Sequence, residues 1–312
     1  MVFETKPLFI ATPPIIVSCE RSDAMSIEQA LKLCPKFALA HQVKSDIHHK
    51  DFIFQFLIDN KVFETLEHAV AYYFDDGLKS AKNLRNLLQE ICGWRGTPIK
   101  LLEFASGYGC VTRHLSNILP EVAVTSCDIH PEAMQFISEH LSVSAVLSSS
   151  LPEQLSVPDK YDIVFALSFF SHMPKATWTQ WFNTLLSKVK EDGYLIFTTH
   201  GWLSRKFFGF PKLDEDGFWF EAFSEQKDLD TSEYGMTITN PLFVIHQAAK
   251  NSAGRIILFQ EGSWWNHQDL YIVKRESVVK QEESMTSNPI TRITSPNLKN
   301  LLLTIFRKIK NI

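Results

Sequence analysis

The run Leu101-Leu102-Glu103-Phe104-Ala105-Ser106-Gly107-Tyr108-Gly109 sets an acid and two glycines where an apolar stretch gives way to a helical one. Glycines at such a turn let the backbone pass close to a ligand without Cβ clashes. Nineteen residues beyond Gly109, Asp128 closes the next apolar run, VAVTSCD. A carboxylate at that place can accept both hydroxyl protons of a ribose. Strand, turn, helix, strand and acid in this order point to a nucleoside-containing cofactor.

A nicotinamide fold asks for G-x-G-x-x-G/A. Counted from Gly107 the third position is Thr112, and counted from Ala105 it is Cys110. Neither fits, and no Gly-Lys-Ser/Thr follows to make a Walker loop. The alternative is S-adenosylmethionine. Its cationic sulfonium and amino group need no pyrophosphate cradle and tolerate a turn with Glu103 beside it.

The elements that must position these residues can be read from apolar periodicity. IKLLEF, VAVTSCD, VSAVLS, YDIVFALS and GYLIFTT read as five buried strands, with helices over 109–119, 131–141 and 174–190 between them. That alternation predicts an α/β fold, a Rossmann-like, doubly wound, mostly parallel sheet. RIILFQEG and QDLYIVKR are joined only by SWWNH. So short a link allows no parallel crossover, so the last strand should run antiparallel. Upstream, Ser26-Ile27-Glu28-Gln29 forms a capping box, Asp51 can cap FIFQFLIDN, and residues 64–74 and 78–92 carry helical spacing with Gly93 as C-cap. Asn240-Pro241 opens a helix to about 252. The expected organisation is an irregular segment and helical cap over 1–94, a cofactor domain over 95–276 with an insert at 201–238, and a mobile linker with a basic amphipathic tail over 277–312.

Composition bounds the function. The 312 residues are 45% hydrophobic and 21% charged, with net charge −4, enough to bury a sizeable core. A mildly acidic chain lacks the basic footprint of an unspecific nucleic-acid binder, so no nucleic-acid partner is expected. Five cysteines without a CxxC pair predict reduced thiols in a cytoplasmic protein and no metal site. No stretch reaches the ~18 apolar residues that span a membrane.

With these residues on the page, the sequence resembles the class I S-adenosylmethionine-dependent methyltransferases of small-molecule type. The resemblance covers roughly 95–275 and rests on EFASGYG, on Asp128, on Tyr161-Asp162-Ile-Val-Phe with ALSFFSHMP, on Asp192-Gly193-Tyr-Leu-Ile-Phe, and on the terminal antiparallel pair. It departs at Ala105, where many members have glycine. The stretch YYFDDGLKSAKNL, with Tyr73, resembles the cap of such enzymes. The resemblance implies S-adenosyl-L-methionine as cofactor, with Glu103, Gly107, Tyr108 and Gly109 around its methionine part and Asp128 on the ribose, Ile129 following. Ser149, Ser150 and Leu151 would lie at the adenine edge, and Ser168 and Phe169 would face the methyl group.

Methyl transfer displaces a neutral leaving group from a sulfonium, so alignment and desolvation supply much of the acceleration. A hydroxyl acceptor also needs a base, and His172, His200 and His267 all lie at strand ends on the ligand side. His200 is the first choice, because it ends strand five and opens the aromatic insert. Trp202, Trp264 and Trp265 are candidate acceptor walls. With Gly201, Gly209 and Gly217, the insert can act as a lid. The absence of Asn/Asp-Pro-Pro-Tyr/Phe after strand four argues against base or glutamine nitrogen, leaving a hydroxyl of a sugar or secondary metabolite as the expected acceptor. The rival reading is a non-catalytic module of the same fold. The tail LKNLLLTIFRKIKNI carries four basic and no acidic side chains. It suits weak contact with an anionic membrane surface or with a protein.

Overall fold

A computed structural model describes residues 27–59, 63–224, 226 and 228–277. The capping-box Ser26, Cys19, the irregular N-terminal segment and all of the tail beyond 277 lie outside the described residues. Three helices come first: α1 (Ile27–His41), α2 (Phe52–Asp59) and α3 (Leu66–Glu90). Asp51 caps α2 as expected, its Oδ1 accepting the Phe54 N–H at 3.0 Å. α3 is one continuous helix, where the sequence suggested two. Its centre at Gly77 packs so closely on the next layer that the glycine serves contact, not termination. The helix ends at Glu90 with Ile91 as its C-cap, and Gly93, at φ +72°, lets the Trp94 N–H reach back to Leu88 O at 2.8 Å.

The sheet then forms in the expected rhythm. Its strands are β1 (Ile99–Phe104), β2 (Val122–Asp128), β3 (Ser144–Leu147), β4 (Tyr161–Ala166) and β5 (Val189–His200). Between them lie α4 (Thr112–Ile118), α5 (Pro131–Phe136, continued by a π-turn to Leu141) and α6 (Lys175–Lys188). The Asp192-Gly193 turn falls inside β5, not before it. Asp192 has φ +60°, and the register with β4 shifts between Tyr161 and Ile163.

The stretch after His200 is not structureless. It holds a small antiparallel pair, β6 (Phe218–Glu221) and β7 (Met236–Thr239), before α7 (Pro241–Ala249), whose N-cap Asn240 accepts the Phe243 N–H at 2.8 Å. β8 (Gly254–Trp264) and β9 (Gln268–Arg275) complete the seven-stranded sheet in the order β3-β2-β1-β4-β5-β9-β8. The first five strands are parallel, and β9 runs antiparallel to both β5 and β8.

Both faces of the sheet are covered, which explains why its central strands are continuous apolar runs. On one face Phe170, Trp178, Phe182 and Phe243 pack on Phe197 and Tyr271. On the other, Leu84, Leu88 and Leu115 pack on Phe165, Ile196 and Ile272. A third cluster, including Phe54, Leu57, Tyr73 and Phe74, joins the three N-terminal helices. Among the described residues there is no disulfide, and no helix is long and apolar enough to cross a membrane.

Candidate active site

The turn out of β1 is held by its own backbone and by β2. Ala105, Gly107 and Gly109 all take left-handed φ, +58°, +55° and +86°. At Gly109 the requirement is also spatial, since a Cβ would stand 2.5 Å from Leu141 Cδ1. At Gly107 a Cβ would meet nothing within 4 Å, so this side of the loop is open. The Gly107 N–H donates to Asp128 Oδ2 at 2.8 Å. The glycine turn and the acid, 21 residues apart, thus meet directly. Asp128 is buried, and its Oδ1 accepts from the His130 N–H at 3.1 Å and from the His130 ring at 2.7 Å.

Glu103 sits beneath the turn. Its Oε2 accepts from Thr112 Oγ at 2.6 Å and from Ser126 Oγ at 3.1 Å. Burial pushes its carboxyl up to about 7, against these two hydrogen bonds, which lower it. The cap reaches the same turn from the other side. His48 stacks on Tyr108 at 4.7 Å. Arg113 donates through Nε to Gly109 O at 3.2 Å and through one terminal nitrogen to the carbonyls of Lys44 and Asp46, each at 3.0 Å. Its other terminal nitrogen lies 3.3 Å from the Tyr73 hydroxyl, which donates to Asp51 at 2.6 Å. Tyr73 is therefore fully buried and committed to the cap, not turned toward an open crevice.

Beside Asp128, the Ser148 N–H donates to the Asp128 carbonyl at 2.8 Å, which brings the 148–151 turn to the end of β2. There Ser149 Oγ accepts the Leu151 N–H at 3.1 Å, Ser150 and Leu151 are exposed, and Ile129 is half-buried. After β4, Ser168 takes φ +57° and is fixed on all sides. Its N–H donates to Thr198 Oγ at 2.8 Å, and its hydroxyl accepts from Gln268 Nε2 at 2.8 Å. Thr198 in turn donates to Gln268 Oε1 at 2.6 Å. Phe169 points away, into the core against Phe104 and Trp181.

The three histidines come together in a row, His200 lying 6.1 Å from His172 and 5.7 Å from His267 by ring centroids. The outer two anchor the insert. His172 donates through Nδ1 to Gly235 O at 2.9 Å and stacks on Tyr234. His267 contacts Ser204 Oγ through Nδ1 at 2.9 Å. Burial holds both well below the ordinary imidazole value, at about 4, and lowers His200 well below it too. His200 does not stand open to the crevice, as its place at the strand end suggested. It is buried, with Phe208 of the insert 5.3 Å away, and hydrogen-bonds the Thr237 backbone. Its Nδ1 is buried with no hydrogen-bond partner among the described residues.

The tryptophans divide. Trp202 is 42% exposed, with the Arg205 guanidinium 4.8 Å over its ring. Trp264 is buried and donates to Ser80 at 3.2 Å, and Trp265 donates to Asp76 at 2.7 Å. Both pin the β8–β9 link to α3, which takes them out of any acceptor wall.

Comparison with known proteins bears on what this arrangement serves. A family model described as a methyltransferase domain matches residues 102–195, from the glycine turn to β5. Two curated relatives are named malonyl-[acyl-carrier protein] O-methyltransferase. The one from Acetivibrio thermocellus is 26% identical over 154 residues, 46% of this chain and 51% of the relative. The one from Bacillus anthracis is 27% identical over 111 residues, 33% of this chain and 38% of the relative. Residues 102–195 thus carry the likeness to a methyltransferase domain. The chain spans about half the length, or less, of these curated relatives. Among solved structures, an amino pentose methyltransferase from Micromonospora echinaspora aligns at 12% identity and TM-score 0.45, over 65% of this chain and 91% of that one.

The cofactor that such a domain implies is S-adenosylmethionine. The donor set fits it: an open glycine turn, a buried acid at the end of β2 and a second acid under the turn. Four residues of the site escaped sequence reasoning. Thr198 and Gln268 carry no local signal, because only the β5–β9 pairing joins them. Arg113 could have been suspected from its place in the first turn after the glycines. His130 could have been suspected from standing two residues after Asp128.

Proposed function

We propose that this chain transfers the methyl group of S-adenosylmethionine to an oxygen of a small-molecule acceptor, a hydroxyl of a sugar or secondary metabolite. When bound, the cofactor supplies a methyl group on a positively charged sulfur. Gly107, Tyr108, Gly109 and Glu103 would hold its methionine part, and Asp128 its ribose. Ile129, Ser149, Ser150 and Leu151 would border the adenine, and Ser168 the methyl end.

The observation that carries the acceptor side is the orphan nitrogen of His200. A buried polar atom without a partner costs roughly 1–3 kcal/mol, and such atoms call for an explanation. With the ring neutral and its proton on the other nitrogen, Nδ1 is an acceptor waiting for a donor. An acceptor hydroxyl supplies that donor and passes its proton to the ring as the new bond forms. Since Phe208 lies over the ring, admission of the acceptor requires the insert to shift. The names of the two curated relatives, both O-methyltransferases, support oxygen as the methylated atom.

Incubation of the full chain with labelled S-adenosylmethionine and a panel of hydroxylated metabolites, sugars and amines tests the reading. Label should enter hydroxyl compounds and not amines, and Asp128→Ala should abolish uptake at low cofactor concentration. Cofactor binding with no transfer to any oxygen acceptor would favour a non-catalytic module.

A further inference from the structure

His130 stands between two carboxylates from distant parts of the chain. Nδ1 lies 2.7 Å from Asp128 Oδ1, and Nε2 lies 3.1 Å from Asp228 Oδ2. Asp128 ends β2, while Asp228 belongs to the insert, 98 residues further on than His130. A carboxylate only accepts hydrogen bonds, and a neutral imidazole has a single N–H. Two such contacts at once therefore require the doubly protonated ring. The other groups around it agree. Tyr108 lies 6.2 Å away, ring to ring, and Glu132 of α5 is engaged by Lys50.

We propose that His130 is a positioning residue of the cofactor site, a charged clasp that fixes the Asp128 carboxylate and ties the insert to the ribose end of the sheet. The inference rests on Asp128 being the ribose acid. Asp128 Oδ1 already accepts two hydrogen bonds from His130, and Oδ2 accepts one from Gly107. With the ring held, the free lone pair of Oδ2 is the one presented to a ribose hydroxyl. The bond to Asp128 above all, and both negative charges, raise the affinity of the ring for its proton. As pH rises through the His130 pKa, one of the two ring bonds must go. The Asp228 carboxylate is 66% exposed, against 8% for Asp128, so the insert side is released first.

The test uses the full chain and two readouts. NMR titration of the His130 ring, without cofactor, should give a midpoint above that of an ordinary imidazole, and Asp228→Asn should lower it. Dissociation of S-adenosylhomocysteine, followed from pH 6 to pH 9, should speed up about two- to fivefold in the wild type, the span expected of one exposed charged pair. Asp228→Asn should be fast at every pH, and circular dichroism checks that it is folded. An ordinary His130 midpoint indifferent to Asp228→Asn overturns the clasp, as does normal binding with the same pH profile in both proteins. Failure of S-adenosylhomocysteine to bind at any pH overturns the ribose assignment and the clasp with it.

Discussion

Gly77, at the centre of α3, lies against the carbonyl oxygen of Cys110: a Cβ there would fall inside van der Waals contact of that oxygen and 2.9 Å from His114 Cδ2. The cap helix and the end of the glycine turn thus touch backbone to side chain-free backbone. Gly77→Ala should force α3 outward. Overpacking of this kind costs about 1–3 kcal/mol. Urea denaturation should show that loss, and calorimetry should show weaker S-adenosylhomocysteine binding, because the displaced turn is the one that carries Gly109.

Ala105 adopts φ +58° where a glycine would be at ease. The left-handed conformation costs an L-residue about 1–2 kcal/mol, part of which glycine gives back as extra freedom in the unfolded chain. Ala105→Gly should therefore stabilise the fold by roughly 0.5–1 kcal/mol. A melting temperature at or below that of the wild type would contradict this.

Glu103 gives the fold a pH dependence of definite sign. Its carboxyl titrates near 4.5 in an ordinary setting and at about 7 here. Between these values the folded chain keeps a proton that the unfolded chain has released. Stability from this group falls as pH rises through that window, and the full penalty stands above it. Glu103→Gln removes the titration while its amide oxygen still accepts from Thr112 and Ser126. The variant should lose about 1–3 kcal/mol less than the wild type between pH 5 and pH 8 in denaturant titrations.

His200→Ala should lower turnover on a hydroxyl acceptor by roughly 10²–10⁴-fold, the usual span for a general base. Affinity for S-adenosylhomocysteine should hardly change, because the glycine turn and Asp128 lie on other strands. Near-wild-type turnover would remove His200 as the base. It would also be the outcome if the methylated oxygen belongs to a carboxylate, which has no proton to give up.

Much of the fold was legible because the sheet is covered on both faces. IKLLEF, VAVTSCD and QDLYIVKR are strands with the bounds their apolar runs suggest, and Asp51 and Asn240 cap the helices they precede. The β6–β7 pair was not legible. FWFE and MTIT are four residues each, and a long polar stretch stands where a hairpin turn would signal itself. Side-chain direction was the weaker part of the site reading. Phe169 and Trp264 stand at strand ends as expected, yet turn into the core. The row of three histidines exists only once β4, β5 and the β8–β9 link are side by side.

The place of β9 carries a consequence for how the chain comes to be folded. It is the last strand in sequence among the described residues, yet it lies inside the sheet, between β5 and β8. Until it arrives, the whole of β5 is an open edge of unpaired amides and carbonyls beside Phe197 and Ile196. Such an edge is a template for pairing with another chain. The link that closes it, Thr198 to Gln268, spans 70 residues, a separation that slows folding. During synthesis the five parallel strands can assemble first and wait. Chains stalled or cut between β5 and β9 should therefore aggregate, whereas those that include β9 seal their own edge.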